Sequence, residues 1–223
     1  MKKKYYLFKM DMKFLNFFSI ILMIISFGIF YLIYEEATLS VLYDIYVPFI
    51  LIYVPYLIFH ELLHSLAYVL YGANFKNITY GMHLEKGVLC CLCKQNINKR
   101  NILYSLLYPF FFIGVLTLII GIIINNPLLI LLSLANVSGC SGDLVMFYHL
   151  SRLDNFEFSE YDCPTAFGLY TKEDLSNKKM LGLVFVDVKS KLERNDLKKV
   201  VISKMSIIIL FLFYLLIVFS IIL

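Results

Sequence analysis

The chain has 223 residues, of which 61% are hydrophobic and 16% are charged, and its mean hydropathy is +0.80. Soluble domains are about 45 to 50% apolar, so this composition excludes a protein that buries all its apolar surface in a water-soluble core. The charged residues are clustered between long uncharged runs, which indicates that the solvent for most of the chain is lipid.

Five apolar runs are long enough to cross a membrane as helices, which takes about 20 residues. We therefore predict an all-α polytopic membrane protein with about five transmembrane helices. The first run is too long for a signal peptide and no cleavage site follows it, so we expect a retained span. The predicted organisation is a membrane domain over 1–150, a cytosolic insertion over 151–204 and a C-terminal helix over 205–223. The spans in the membrane domain are 14–34, 45–71, 101–124 and 128–150.

The basic residues predict the orientation, because cytoplasmic loops retain lysine and arginine. All 20 of them precede the first span, lie in the second loop, or lie between Arg152 and Lys204. The first and third loops contain none, which an attraction to nucleic acid would not explain. We expect a multi-pass protein of the cell membrane with a cytoplasmic N-terminus, in contact with lipid and not with nucleic acid. The oligomeric state is left open.

The cysteines fall in or near the cytoplasmic half, where reduced thiols are expected. No second pair accompanies the group Cys90, Cys91 and Cys93 to complete a four-ligand metal site. We interpret these three as small apolar residues in a strand. The five cysteines are Cys90, Cys91, Cys93, Cys140 and Cys163.

The second run contains the pentapeptide His60-Glu61-Leu62-Leu63-His64. In a helix, His60 and His64 project from one face and can bind one zinc ion together. Glu61 can then reach a metal-bound water and take its proton as a general base. The alternative is a histidine pair that satisfies polar groups in a helix bundle, and it leaves the buried carboxylate without a partner. The motif predicts a zinc-dependent hydrolase with Zn²⁺ as cofactor.

A hydrolytic zinc also needs a third protein ligand and a position open to water. Asp143 is the only charged residue besides Glu61 within the five runs, and charges at membrane depth are functional by default. Helical rise places it about 10 Å from the cytoplasmic end of its span, at a depth similar to both histidines. We therefore predict His60, His64 and Asp143 as the zinc ligands.

Asn136 and two glycines accompany Asp143 in the fourth run. Asn136 lies two helical turns before Asp143 on the same face. It either binds a substrate carbonyl or oxyanion or orients the site, or it makes an interhelical hydrogen bond. Gly139 and Gly142 are expected to allow close approach to a neighbouring helix. His149 is interpreted as an interfacial residue, and His83, in the second loop, as a weaker alternative to Asp143.

These motifs resemble those of the site-2 protease type of intramembrane zinc metalloprotease. They are more similar to a bacterial family of membrane proteins named "putative zincin peptidases", in which a Ser/Gly-rich segment ending in Gly-Asp follows the HExxH span. The resemblance covers roughly 45–150 and rests on His60 to His64 and Ser138 to Asp143. The order Gly142-Asp143 departs from the usual site-2 pattern, and we expect no PDZ-like domain.

Two shorter segments also have a predicted structure. Residues 78–94 are expected to form a β-hairpin that turns at Glu85-Lys86-Gly87. Site-2 proteases are similar in having a hairpin here that pairs with an unwound substrate; the alternative is a structureless basic loop. In the insertion, Thr171 to Asp174 suggests a helix capping box and 181–188 a strand. We expect the insertion to cover or gate the cytoplasmic face.

Two functions are compatible with these residues. The first is an intramembrane zinc protease that hydrolyses peptide bonds of membrane-associated peptides or proteins, with Glu61 as the general base. The alternative is a non-catalytic metal-binding scaffold or a metal transporter that uses His60, Glu61, His64 and Asp143. A transport site needs ligands but no base that stays off the metal, so Glu61 distinguishes the two.

Overall fold

A computed structural model describes residues 3–35, 38–83, 88–160, 166–176, 178–186 and 198–200. Within them the chain is mostly helical. Helix α1 is Met12–Tyr34, and the side chain of Asp11 caps it by accepting from the backbone N–H of Lys13. Helix α2 is Thr38–Leu70 and begins seven residues before the predicted span.

The predicted third span is one continuous helix that is wider in its middle. It consists of α3 (Lys99–Pro109), a π-helical segment (Phe110–Val115) and α4 (Leu116–Ile123). Pro109 has no N–H to continue the α-helical bonding, which is a common cause of such a distortion. Side chains of neighbouring helices bond to its carbonyl groups: Tyr56 donates to Ile113 and Ser133 donates to Gly114.

The predicted fourth span is bent. Helices α5 (Pro127–Gly139) and α6 (Ser141–Ser151) meet at Cys140 with a bend of 50°. Three helices of the described chain are long and apolar enough to cross a membrane, or four if this bent pair is one span. The prediction of five spans is therefore not confirmed. The fifth predicted span, 205–223, lies outside the described residues.

The all-α prediction is wrong in one respect, because a five-stranded antiparallel sheet lies beside the helix bundle. Its strands are β1 (Lys4–Met10), β4 (Ile97–Asn98), β5 (Phe156–Glu160), β6 (Ala166–Thr171) and β7 (Leu183–Val186). Their order across the sheet is β4-β5-β6-β1-β7. The pairing joins distant parts of the chain, with Lys4 opposite Thr171, and no local sequence pattern indicates such a partner.

The sheet packs on the ends of α1, α3 and α6 through one apolar core. Phe8 of β1, Phe158 of β5 and Leu169 of β6 are fully buried there with Ile102 of α3 and Leu150 of α6. Because β1 leads directly into α1 through Asp11, the sheet is held against the start of the first helix. The segment before α1, in which the sequence shows only a cluster of lysines, is thus an inner strand of the sheet.

The predicted hairpin after α2 is confirmed. Strand β2 (Ile78–His83) pairs in antiparallel fashion with β3 (Val88–Cys93), and β2 also pairs with β8 (Lys198–Val200). The turn predicted at Glu85-Lys86-Gly87 lies outside the described residues. Tyr80 of β2 is buried, and this burial raises the pKa of its hydroxyl, which stays protonated.

Within the insertion, the strand predicted over 181–188 is confirmed by β7. The capping box predicted at Thr171 to Asp174 is wrong, because no helix begins in the described residues there. The Thr171 hydroxyl instead accepts from the N–H of Glu173, and the Asp174 carboxylate accepts from the N–H of Ser176. Short polar side chains make hydrogen bonds in turns as readily as they cap helices. This short stretch of sequence therefore does not distinguish a turn from the start of a helix.

Candidate metal centre

The two motif histidines lie on one face of α2, as the helical spacing requires. Both are buried, at 7% exposure, and their Nε2 atoms are 3.2 Å apart. His60 lies ten residues and His64 six residues before the end of α2. The pair therefore lies inside the helix bundle and not in the loop that follows.

Asp143 is the third member of the cluster. It lies in the first turn of α6, and its Oδ2 is 3.3 Å from Nε2 of His60 and 3.4 Å from Nε2 of His64. The three ligand-type atoms thus form a nearly equilateral triangle. Donor atoms about 2.0 to 2.1 Å from a tetrahedral zinc are separated by about 3.3 Å, so the triangle has the size of one face of a zinc site.

The other nitrogen of each ring defines the tautomer. Nδ1 of His64 is 2.9 Å from the carbonyl oxygen of Ser105, which can only accept, so Nδ1 carries the proton. Nδ1 of His60 is 2.9 Å from Oδ1 of Asn136, whose amide nitrogen donates to the carbonyl of Pro109 at 3.1 Å. The Asn136 oxygen must therefore be the atom that accepts from His60.

Three hydrogen-bond acceptors therefore converge with no proton among them while both rings are neutral. Lone pairs of two nitrogens and one carboxylate oxygen within 3.4 Å repel one another unless a cation lies between them. Imidazoles whose second nitrogen donates to a carbonyl oxygen are the usual form of metal-binding histidine. The residues present fit a zinc ion.

Glu61 lies beside this triangle. Its carboxylate is within 4.8 Å of ligand atoms of both His60 and His64. It accepts a hydrogen bond from the backbone of Cys91 on β3, which holds it at the side of the histidine pair. A carboxylate in this position can accept and donate a proton without coordinating the metal ion.

Asn136 makes hydrogen bonds to two other helices. It is 1% exposed, and both ends of its amide are engaged, one with His60 of α2 and one with Pro109, the last residue of α3. These are interhelical hydrogen bonds, and the bond to His60 also fits the predicted role of orienting the site.

We predict that Asn136→Leu weakens zinc binding about 10-fold to 100-fold, the usual cost of losing a partner that orients a ligand. The matched control is Ser133→Ala, which removes a hydrogen bond from α5 to the same π-helical segment but does not touch His60. Competition with a chromophoric chelator measures both affinities. An equal loss of zinc affinity in the two variants would mean that Asn136 affects zinc binding only by holding the π-helical region in place.

The cluster opens into a cavity of about 350 Å³. Helices α1, α2, α3 and α6 and strand β3 form most of its wall. Gly139 of α5 also lines it, as do four residues of the five-stranded sheet: Met10, which ends β1, and Phe158, Ala166 and Phe167 of the insertion. We call these four residues the cover. Three of them belong to the insertion, which the sequence predicts to cover or gate the cytoplasmic face, and the fourth belongs to β1.

The glycines of the fourth run do not have the role predicted for them. A Cβ on Gly139 or Gly142 would meet no atom within 4 Å in the described chain, so neither lies against a neighbouring helix. Both instead line the cavity. Close helix approach occurs at Gly121 of α4, where a Cβ would come within 2.9 Å of Ile130 of α5.

The remaining candidates lie away from the triangle or outside the described residues. His149 is on the same helix as Asp143, and its Nε2 donates to the carbonyl of Leu181 at 2.8 Å. His83 ends β2, and its side chain is not among those that the structure describes. Cys90, Cys91 and Cys93 are in β3, as expected. Cys163 lies outside the described residues.

One residue near the site was not predicted. Cys140 is fully buried at the bend between α5 and α6, and its sulfur is within 4.8 Å of ligand atoms of His60 and Asp143. Asn136 donates to it at 3.6 Å. Its place directly before the helix that carries Asp143 is the only sequence signal for this proximity.

The fold and the site define a helical protein with long apolar helices and a buried cluster suited to zinc. A family model described as "Putative zincin peptidase" matches residues 53–155. The match spans His60, Glu61, His64, Asn136 and Asp143, and it supports a zinc metallopeptidase of the zincin type. No curated protein and no solved structure matches the chain.

Proposed function

We propose that the protein is an intramembrane zinc protease of the site-2 protease type. The observation that carries the proposal is the triangle of His60, His64 and Asp143, in which three acceptors converge at the spacing of zinc ligands. Their place inside a bundle of membrane-length helices supports cleavage within or close to the lipid bilayer. The basic residues favour the cytoplasmic leaflet as the side of cleavage.

When bound, zinc supplies a Lewis acid that polarises oxygen atoms in the cavity. Glu61 takes a proton from the attacking water as the water oxygen bonds to the peptide carbonyl carbon. Glu61 then delivers that proton to the amine nitrogen as the carbon–nitrogen bond breaks. The second proton of the water passes from the new carboxyl group to the amine. The products are therefore a carboxylate and an ammonium group, and Glu61 ends in the form in which it began.

Strand β3 supports an extended substrate. Within the described sheet β3 pairs with β2 alone and is an edge, and four of its residues line the cavity: Leu89, Cys90, Cys91 and Leu92. A peptide added along this edge would place its carbonyl groups beside Glu61. A helical substrate would have to unwind first, because helical packing shields the scissile carbonyl from attack.

The alternative is a metal-binding scaffold or transporter that uses the same ligands. The cover does not favour this alternative, because three of its four residues, Phe158, Ala166 and Phe167, carry no metal-ligand atom in their side chains. Charged or polar side chains mark the pathways of ion transporters.

The test is cleavage of membrane peptides by the purified protein in liposomes. We expect loss of cleavage after treatment with a zinc chelator and recovery after one equivalent of Zn²⁺ is added. Comparing the termini of membrane proteins in cells with and without the active protein then identifies substrates. Zinc-loaded protein that cleaves no membrane peptide but moves Zn²⁺ across the liposome would support the transporter.

A further inference from the structure

The N-terminus of α6 opens into the same cavity as the candidate metal centre. Ser141 and Gly142, its first two residues, both line that cavity, and Asp143 follows them. The helix has 11 residues, so its aligned peptide dipoles give its first turn a partial positive charge.

The backbone N–H groups of this turn have no acceptor in the part of the chain that the structure describes. The N–H of Cys140 still bonds back to α5, and the N–H of Leu144 bonds to Cys140 at 2.9 Å. Between Cys140 and Leu144, the bend interrupts the helical hydrogen bonding. The N–H groups of Ser141, Gly142 and Asp143 therefore point out of the end of the helix without a hydrogen bond.

The hydroxyl group of Ser141 is a second, independent feature of this turn. The residue is 8% exposed, and its hydroxyl has no hydrogen-bond partner among the described residues. The hydroxyl of Ser138, three residues earlier, is bonded to the carbonyl of Leu134 at 3.1 Å. Because Ser141 lines the cavity, its hydroxyl is available to donate to a molecule bound there.

Gly142 leaves the backbone open to the cavity. Its φ is not positive, so the backbone conformation does not require glycine. A Cβ would meet nothing within 4 Å in the described chain, so packing does not require glycine either. The absence of a side chain therefore matters for the cavity, because it lets another molecule approach the N–H groups closely.

We infer that the N-terminal turn of α6 is the oxyanion-binding subsite, with the hydroxyl of Ser141 and the backbone N–H groups of Ser141 and Gly142 as donors. This inference rests on the proposed protease function. The ligand is the carbonyl oxygen of the scissile peptide bond, which becomes negative during attack. Preorganised donors stabilise that charge more than the neutral carbonyl. Asn136, the candidate from the sequence, has its amide donors engaged with Pro109 and Cys140.

Ser141→Ala tests the hydroxyl. We expect kcat to fall about 100-fold, as loss of one such donor does elsewhere, with KM changed less than about twofold because the bond strengthens only in the transition state. Ser141→Thr keeps the hydroxyl and should recover most of kcat. The matched control is Ser138→Ala, which removes a buried hydroxyl outside the cavity and should keep wild-type kcat.

A binding measurement separates this inference from the proposed function. The probe is an apolar dipeptide analogue with a phosphinate in place of the scissile bond, whose charged oxygen imitates the oxyanion. We expect Ser141→Ala to bind the probe about tenfold more weakly while it holds one zinc per chain. If the wild type neither cleaves peptides nor binds the probe, the proposed function fails. If the wild type cleaves peptides and binds the probe, and Ser141→Ala has the same kcat and the same probe affinity, the oxyanion-binding subsite lies elsewhere.

A second variant, Gly142→Val, tests whether the backbone N–H groups must be accessible from the cavity. A side chain here would block access to the N–H groups, so we expect loss of probe binding and of cleavage with zinc content unchanged. Gly28→Val is its control, because Gly28 also has no neighbour within 4 Å but lies on α1 away from the cavity lining. Equal cleavage by Gly142→Val and Gly28→Val would overturn the inference.

Discussion

Glu61→Gln is expected to lower peptide cleavage by about 10²- to 10⁴-fold, the usual contribution of a general base, and to leave one zinc bound per chain. The reason is its position: the carboxylate is beside the ligand triangle, bonded to the backbone of Cys91, and is not one of the three converging atoms. Glutamine has the same size but no basic oxygen. Cleavage rates in liposomes and elemental analysis of the same samples measure the two quantities.

The control for this experiment is Asp44→Asn on the same helix. Asp44 is exposed at the other end of α2, so the substitution also removes one carboxylate and should change neither quantity. Cleavage by Glu61→Gln within about threefold of wild type, far less than a general base contributes, would remove Glu61 as the base. Wild-type Zn²⁺ flux through Glu61→Gln, together with no cleavage by the wild type, would favour the transporter.

Asp143→Asn should weaken zinc binding by more than the roughly 10- to 100-fold expected for residues that only orient a ligand, and cleavage should be lost with the metal. The substitution removes the charge from one corner of the triangle. The fold should persist, because the neutral amide can donate to Nε2 of a histidine and so replaces repulsion between acceptors by a hydrogen bond. Chelator competition and gel filtration in detergent measure zinc affinity and folding.

His149→Gln is the control on the same helix, since its ring bonds to Leu181 and not to the cluster. It should retain zinc and cleavage. The contrary result would be full zinc and activity in Asp143→Asn together with loss of both in His83→Gln. The third ligand would then come from the hairpin, and the arrangement of α2 and α6 would not be the catalytic one.

The site was largely predictable because its residues are of rare types at helical spacing. A histidine pair four residues apart and two carboxylates within long apolar runs restrict the possible chemistry before any contact is known. Helical rise alone places His60, His64 and Asp143 at similar depth. The partners of Asn136 were not predictable, because they depend on a carbonyl at Pro109 of another helix and on the direction of an amide group.

The five-stranded sheet was not predictable in the same way. Strand β1 has an apolar centre between lysines, but its partners β6 and β7 begin only at Ala166 and Leu183. Strand preference depends on those neighbours more than on the strand itself. The bend at Cys140 was missed for a related reason: the small residues around it are compatible with either a straight packed helix or an opened one, and only the observed packing distinguishes them.

The cover has a consequence for the order in which the protein is completed during synthesis. His60, His64 and Asp143 all precede Ala166 in the chain, so the growing polypeptide contains the whole ligand set before β6 exists. Strand β1 is made first but has to wait for β6 and β7, and joining ends so far apart is slow. Throughout that interval Ala166 and Phe167 do not yet line the cavity. A nascent chain can therefore present its ligands to a metal ion before the sheet contributes to the cavity wall.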